Sequence, residues 1–523
     1  MNPRDTIPPG NDGISRGLGS TAGATRDDRP VLVLDGDTLT CDALVKAARG
    51  EMRIAVADTV WTRIGAGRDV VDQIVESGAS AYGITTGVGS QKDYAVSAQD
   101  AAEYNARLVA AHATRVPGPL LKPHSVRAAM IVLVNQYTRG FSGVSEALVH
   151  LIVDRANATE LPEVDASGSV GASDLVPLAQ IAHWLLSSPE AKAAGLPRAK
   201  ETLSLINCNA VTLAVGANAL LEARRLMAAF DLAAAAALEG FRGNLDAISE
   251  CVNATHRRPG QHRAAGRIRA FLAGSRLWMP AEARLLQDPL SFRCVSQTHG
   301  AAHELVDRAL SVWNDELNSV NDNPIIDQEI AGVRSNGNMD TTRFTLAIDG
   351  LRQALAKVAD LAGERLHKQQ WPAFSGLPTG LAEEASAIGG VQFLNLGHIG
   401  ASIITSAKIW ARPHLLISVG QVADGVEDTA GHALHAVHDL ERLIGAGWKI
   451  AAIETAVAVW AMRRRRLTGD SLGRGVRVAY DRIGPMLPIG TEGREVFNLG
   501  PLIAAFQEDN LVEEALAASG IEG

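Results

Sequence analysis

The sequence predicts a mainly α protein, a bundle of long helices with a smaller mixed N-terminal region. Two stretches carry this. From Leu203 to Arg242 nearly every residue is apolar or small, the pattern of helices packed against other helices on all sides. Phe344, Ile348, Leu351, Leu355, Val358 and Ala362 recur at intervals of three and four, with Asp349, Arg352, Lys357 and Asp360 on other faces. That spacing is a bundle seam. The mixed region opens with Val31–Leu34 followed by Asp35-Gly36, a short strand and a turn.

The 523 residues are enough to bury a large core. A formal charge of −9 argues against a nucleic-acid surface. The Arg463–Arg466 run is the exception and reads as a solvated or subunit-facing patch. Cys41, Cys208, Cys251 and Cys294 show neither metal spacing nor a disulfide framework, which points to a reduced, cytoplasmic chain. We expect no metal, no membrane and no nucleic acid. No uninterrupted apolar stretch suggests a span. Residues 1–30 have little to bury and read as a disordered tail. Residues 31–200 form the N-terminal region, and 201–523 the central and C-terminal helical bundle.

In chain order, helices are expected over Cys41–Ala48, Ala66–Ser77, Ser125–Tyr137 and Ser142–Arg155. Tyr82-Gly83-Ile84-Thr85-Thr86-Gly87-Val88-Gly89-Ser90 is a loop, because three glycines and two threonines suit no element interior. His112 falls in a helical pattern, where a histidine satisfied by its own helix is the commoner outcome. Gly168-Ser169-Val170-Gly171-Ala172-Ser173-Asp174 leaves the backbone almost unencumbered, and Asp174 then caps a helix beginning Leu175-Val176-Pro177. Ile325–Val333 with the turn after it reads as a small hairpin. Helices over His432–Ala446 and Lys449–Arg466 close the chain as amphipathic packing elements.

Several segments carry more specific wording. Besides Tyr82–Ser90 and Gly168–Ala179, these are Glu201–Asn207, Gln287–Arg293, Glu316–Pro324, Gly337-Asn338 and Glu427-Asp428. In this order they resemble motifs of the aromatic amino acid ammonia-lyases and aminomutases, the family of histidine and phenylalanine ammonia-lyases. The resemblance spans roughly residues 31–520. It implies a fumarase/aspartase-like helical bundle and a homotetramer whose active sites draw on three subunits. It also implies a methylidene-imidazolone electrophile formed from the chain itself, by cyclisation of an Ala-Ser-Gly triad.

By that resemblance Tyr82 is the base for the β-proton, and Ala172, Ser173 and Asp174 stand where the electrophile forms. His112, Asn207, Gln287, Arg293, Asn338 and Glu427 contact the substrate. A free tyrosine titrates near 10, so a base role needs a nearby cation or helix N-terminus. An arginine such as Arg293 grips a carboxylate with two parallel bonds. The activity implied is loss of ammonia from an aromatic or histidine-like L-amino acid to give the α,β-unsaturated acid. An aminomutase, or a silent relative that binds an amino acid or a partner, are the alternatives.

The chain departs from the family pattern within the site itself. No glycine follows Ser173; either Asp174 occupies that position, or the glycine is deleted and Asp174 keeps a capping role. Both alignments work against cyclisation, because the reaction uses a nitrogen whose residue has no Cβ. Leu290, Met339, Asp340 and Val426 replace the family's tyrosine, phenylalanine, histidine and glutamine.

Overall fold

The computed structural model describes residues 28–97, 99–382, 394–418, 422–488 and 496–521. Most of the expected tail, residues 1–27, lies outside the described residues. The centre is a pair of 32-residue helices, Ala210–Phe241 and Ala433–Arg464, packed along each other. At 1.5 Å per residue each is about 48 Å long. Thr342–Gln370 and Val295–Leu317 lie against this pair, and Leu394–Trp410 packs on the outer side. The Ala233–Ala237 run has no exposed surface, because small side chains let neighbouring helices approach from every direction.

The N-terminal region is mixed, as expected. Val31–Leu34 pairs in parallel with Arg53–Val56, around the helix Cys41–Ala48. Thr40 caps that helix by accepting from the Ala43 N–H. The helices Trp61–Ser77, Pro123–Tyr137 and Glu146–Asn157 follow. The small hairpin is present as Ile325–Asp327 paired antiparallel with Gly332–Arg334.

Three expectations need correction. The two C-terminal helices are one continuous helix, Ala433–Arg464. Gly447, between the two expected helices, lies inside it, where a Cβ would come within 2.5 Å of Leu226 of the partner helix; its role is close packing. The Arg463–Arg466 run is not a uniform solvated patch. Arg465 donates to the Gly240 carbonyl at 2.8 Å and to the Ser375 carbonyl, and burial lowers its pKa to about 10. Arg463 stacks over Tyr480. Finally, Glu201–Phe241 and Ala433–Arg464 are long and apolar enough to span a membrane, yet 94% and 89% of their most apolar windows are buried inside the fold. They are core helices.

Buried polar groups fix how these elements meet. Arg365 and Glu454, both fully buried, form a two-pronged pair joining Thr342–Gln370 to Ala433–Arg464. The Glu316–Pro324 segment clamps the N-terminal region to the bundle. Asp322 accepts from Lys200 at 2.7 Å and from Ser204 at 3.0 Å, and Asn321 accepts from Gln136 at 3.0 Å. All four cysteines are free thiols; burial pushes Cys41 up to about 12 and raises Cys208 as well.

Asp231 is a buried acid with three charged or titratable partners. It takes His299 at 2.8 Å, His303 at 2.9 Å and Arg267 at 3.1 Å, tying three helices together. Burial alone would raise its pKa, but His303 and His299 outweigh that and hold the carboxyl well below the usual range. A depressed folded pKa stabilises the fold above the ordinary value of 3.8, and that contribution is lost as pH falls through the folded value. Asp231→Asn is therefore expected to be less stable than wild type near neutrality and to lose less further stability in acid. Urea midpoints taken across the acid limb check this; parallel pH profiles for the two proteins would contradict it.

Candidate active site

One cavity of about 890 Å³ gathers Tyr82, His112, Asn207 and Glu427 on its walls. The loop containing Tyr82 runs into a short helical turn at Gly89–Gln91 and is held by a bridge between Thr86 and Ala95. The Tyr82 hydroxyl accepts from the Gly89 N–H at 3.0 Å, and the Tyr104 hydroxyl from the Val88 N–H at 3.1 Å. Two phenols on the cavity wall thus pin a loop that lines it.

His112 ends the helix Ala101–His112. Its Nδ1 lies 2.8 Å from the Leu108 carbonyl, which can only accept, so Nδ1 carries the proton. The helix-satisfied histidine expected from sequence and the site histidine are therefore the same residue: one nitrogen serves the helix and Nε2 remains. Glu427 sits on a turn where Val422 and Glu427 bridge. Burial raises its carboxyl above the usual range, and His112 acts in the opposite direction. Asn207 is committed on both sides, accepting from the Ser173 hydroxyl at 2.7 Å and donating to the Asn323 carbonyl at 2.8 Å.

The Gly168–Asp174 loop lies behind that wall. Gly171 has φ +89°, and a Cβ there would meet the His432 nitrogen at 2.4 Å, so the loop can lie against the start of the Ala433–Arg464 helix only with glycine. Thr341 Oγ1 donates to the Gly171 carbonyl at 2.9 Å, and Ala172 bridges to Asp340. Ser173 is held at φ +78°, a left-handed conformation that a non-glycine residue adopts only when its surroundings impose it.

Asp174 precedes the helix Leu175–Leu186 as expected, but its side chain does not cap that helix. The carboxyl instead accepts from Thr212 N at 2.7 Å and from Thr212 Oγ1 at 2.8 Å, in the first turn of Ala210–Phe241. Asn209, the N-cap residue of that long helix, makes no side-chain cap bond, so Asp174 supplies the acceptor its free amides require. Asp174 is fully buried, and burial raises its carboxyl despite the Thr212 bonds.

This arrangement decides whether the residues fit a methylidene-imidazolone. Cyclisation requires the nitrogen after Ser173 to attack the Ala172 carbonyl. That nitrogen is Asp174 N, and its N–H donates to the Cys208 carbonyl at 2.8 Å. Its side chain is fixed to Thr212, Ala172 is bridged to Asp340, and no glycine relieves the crowding. The residues present do not fit the ring.

The remaining sequence candidates lie off this cavity. Gln287 is exposed; Arg293 is half-buried and donates to the Asp288 carbonyl at 2.8 Å. Asn338 is exposed and donates to Val320 O at 3.3 Å, although the next residue, Met339, accepts from Asn209 at 2.9 Å and so touches the loop region. Among the wall residues that were not anticipated are Tyr94, Tyr104 and Asp100. Tyr104 was detectable, since Tyr104, Leu108 and His112 repeat at four and share one helix face.

Over residues 39–484 the chain matches the aromatic amino acid lyase family. It is 32% identical over 462 residues to a histidine ammonia-lyase of Anaeromyxobacter sp. (strain K), covering 83% of this chain and 90% of that one. The histidine ammonia-lyase of Caldanaerobacter subterraneus subsp. tengcongensis is 29% identical over 514 residues, 94% of this chain and 99% of that one. Among solved structures, ergothionase from Treponema denticola, described as an ergothioneine degrading enzyme, superposes with a TM-score of 0.83 at 26% identity, covering 93% of this chain and 99% of that one.

The Asp174 arrangement is open to direct test. Asp174→Ala removes the acceptor for Thr212 N and Oγ1, and is expected to cost about 1–3 kcal/mol in urea unfolding. A variant as stable as wild type would show that the long helix does not need this cap.

Proposed function

The chain belongs to the aromatic amino acid lyase family, and on that premise we propose that it eliminates the amine from an α-amino acid with an imidazole or aryl side chain, giving the α,β-unsaturated acid. The observation that carries this reading is the meeting of Tyr82, His112, Asn207 and Glu427 on one cavity. Relatives named for histidine and for ergothioneine support an imidazole as the first choice of side chain.

Tyr82 takes the β-proton. The Gly89 N–H donates to its oxygen at 3.0 Å and holds the ring in place. His112 and Glu427 face the side chain of the substrate. Asn207 positions Ser173 and the loop behind it, through the bond between them. The substrate carboxylate is gripped by Arg293, with Gln287 and Asn338 beside it, contributed by other copies of the chain in a homotetramer. Leu286 and Leu290, 95% and 63% exposed on either side of Gln287, are apolar surface of the sort a second copy covers. The four thiols suit a reducing cytoplasm. Proximity and orientation supply much of the rate in such an assembly.

Tyr82→Phe keeps the ring and removes the hydroxyl. It is expected to lower kcat by about 10²–10⁴-fold, with KM changed far less, on whichever imidazole or phenyl substrate, free or N-methylated, the wild type converts. Formation of the conjugated acid, followed by ultraviolet absorbance, reads this out. A variant with wild-type kcat would remove Tyr82 from the chemistry.

A further inference from the structure

We propose that the substrate's amine is quaternary: the site acts on the betaine of an imidazole- or aryl-bearing amino acid and releases a tertiary amine. This rests on the reading of the chain as a carbon–nitrogen lyase and specifies what that lyase accepts. The starting point is the loop that does not fit the ring. An internal electrophile serves a primary amine, whose lone pair attacks it and which otherwise leaves poorly. A quaternary nitrogen has no lone pair with which to attack and no N–H to lose to the base. It is already a cation that departs as a neutral molecule, so an enzyme acting on it has no use for the ring. A loop whose backbone nitrogen is held by Cys208, and whose acid caps another helix, is compatible with such a substrate.

The cavity is lined to match. Three of the five tyrosines in the chain, Tyr82, Tyr94 and Tyr104, lie on its wall. Aromatic faces attract a quaternary ammonium through the ring quadrupole and require no hydrogen bond from it. Asp100 and Glu427 add negative charge, while Glu103 pairs at 2.6 Å with Arg107, the one guanidinium among the described lining residues, and cancels it. The polar pair nearest the loop, Ser173 and Asn207, is bonded to itself and offers little to an ammonium N–H.

The step balances without another reactant. Tyr82 takes the β-proton, and the C–H pair becomes the second bond between the α and β carbons. The Cα–N bond breaks with its electrons going to nitrogen. The products are the unsaturated carboxylate, neutral trimethylamine and a proton released to solvent when Tyr82 is restored.

The test uses the full-length protein with histidine, phenylalanine and the trimethylammonium betaine of each, measuring conjugated acid, ammonia and trimethylamine. The expected result is conversion of at least one betaine with equimolar trimethylamine, its free-amine counterpart reacting at least a hundredfold more slowly in kcat/KM. Tyr94→Leu is expected to raise KM for that betaine about twofold to thirtyfold. Free amines converted to ammonia as fast as the betaines would overturn the proposal and leave the lyase reading standing. Conversion of none of the four compounds overturns both.

Discussion

The acid of Asp174, buried at the start of a 32-residue helix, is the contact on which the site depends. A helix begins with amide groups that have no partner within it, and these cannot be left dry inside a core. The long helix does not satisfy them from its own cap residue, so it takes an acceptor from the loop before Leu175–Leu186. One bond therefore orders two things. It seats the central helix, and it fixes the loop behind the wall that holds Asn207. The backbone nitrogen of Asp174 is committed separately, donating to the Cys208 carbonyl.

Around that point the fold works as a rigid frame. Small residues allow the long helices to pack on all sides, and the Arg365–Glu454 and Lys200–Asp322 pairs set their mutual positions. A buried pair is weak evidence of net stability, because desolvation offsets the attraction. Its use here is registration. The Asp322-Asn323 turn bonds to Ser204 and to Asn207, so the clamp between bundle and N-terminal region also orients a cavity residue. The wall is assembled from segments more than 300 residues apart in sequence, Tyr82 to Glu427, which only such a frame brings together.

Much of the fold was legible where local pattern and tertiary packing agree. The helix Cys41–Ala48, the strand Val31–Leu34, the hairpin and the Phe344 seam are present as read. Arg53–Val56 was missed because four residues opened by an arginine carry little strand signal without their partner. The helix Ala433–Arg464 was read as two, because the close approach of Gly447 to Leu226 that holds it together is invisible along the chain. In the site, motif wording located Tyr82, His112, Asn207 and Glu427. Arg293, Gln287 and Asn338 carry equally good wording, yet a single chain does not bring them to the cavity. Sequence placed Asp174 correctly but not its partner, since the direction of a side chain is decided by a helix that starts 36 residues later.

The central claim is that this loop remains an ordinary peptide. The intact mass of the purified protein, compared with Ser173→Ala, tests it most directly. The account predicts that wild type has the full mass of its sequence and differs from the variant by one oxygen atom alone. A wild type lighter by two waters, with the deficit absent from the variant, would mean that Asp174 N does close on Ala172, and would contradict the account at its root.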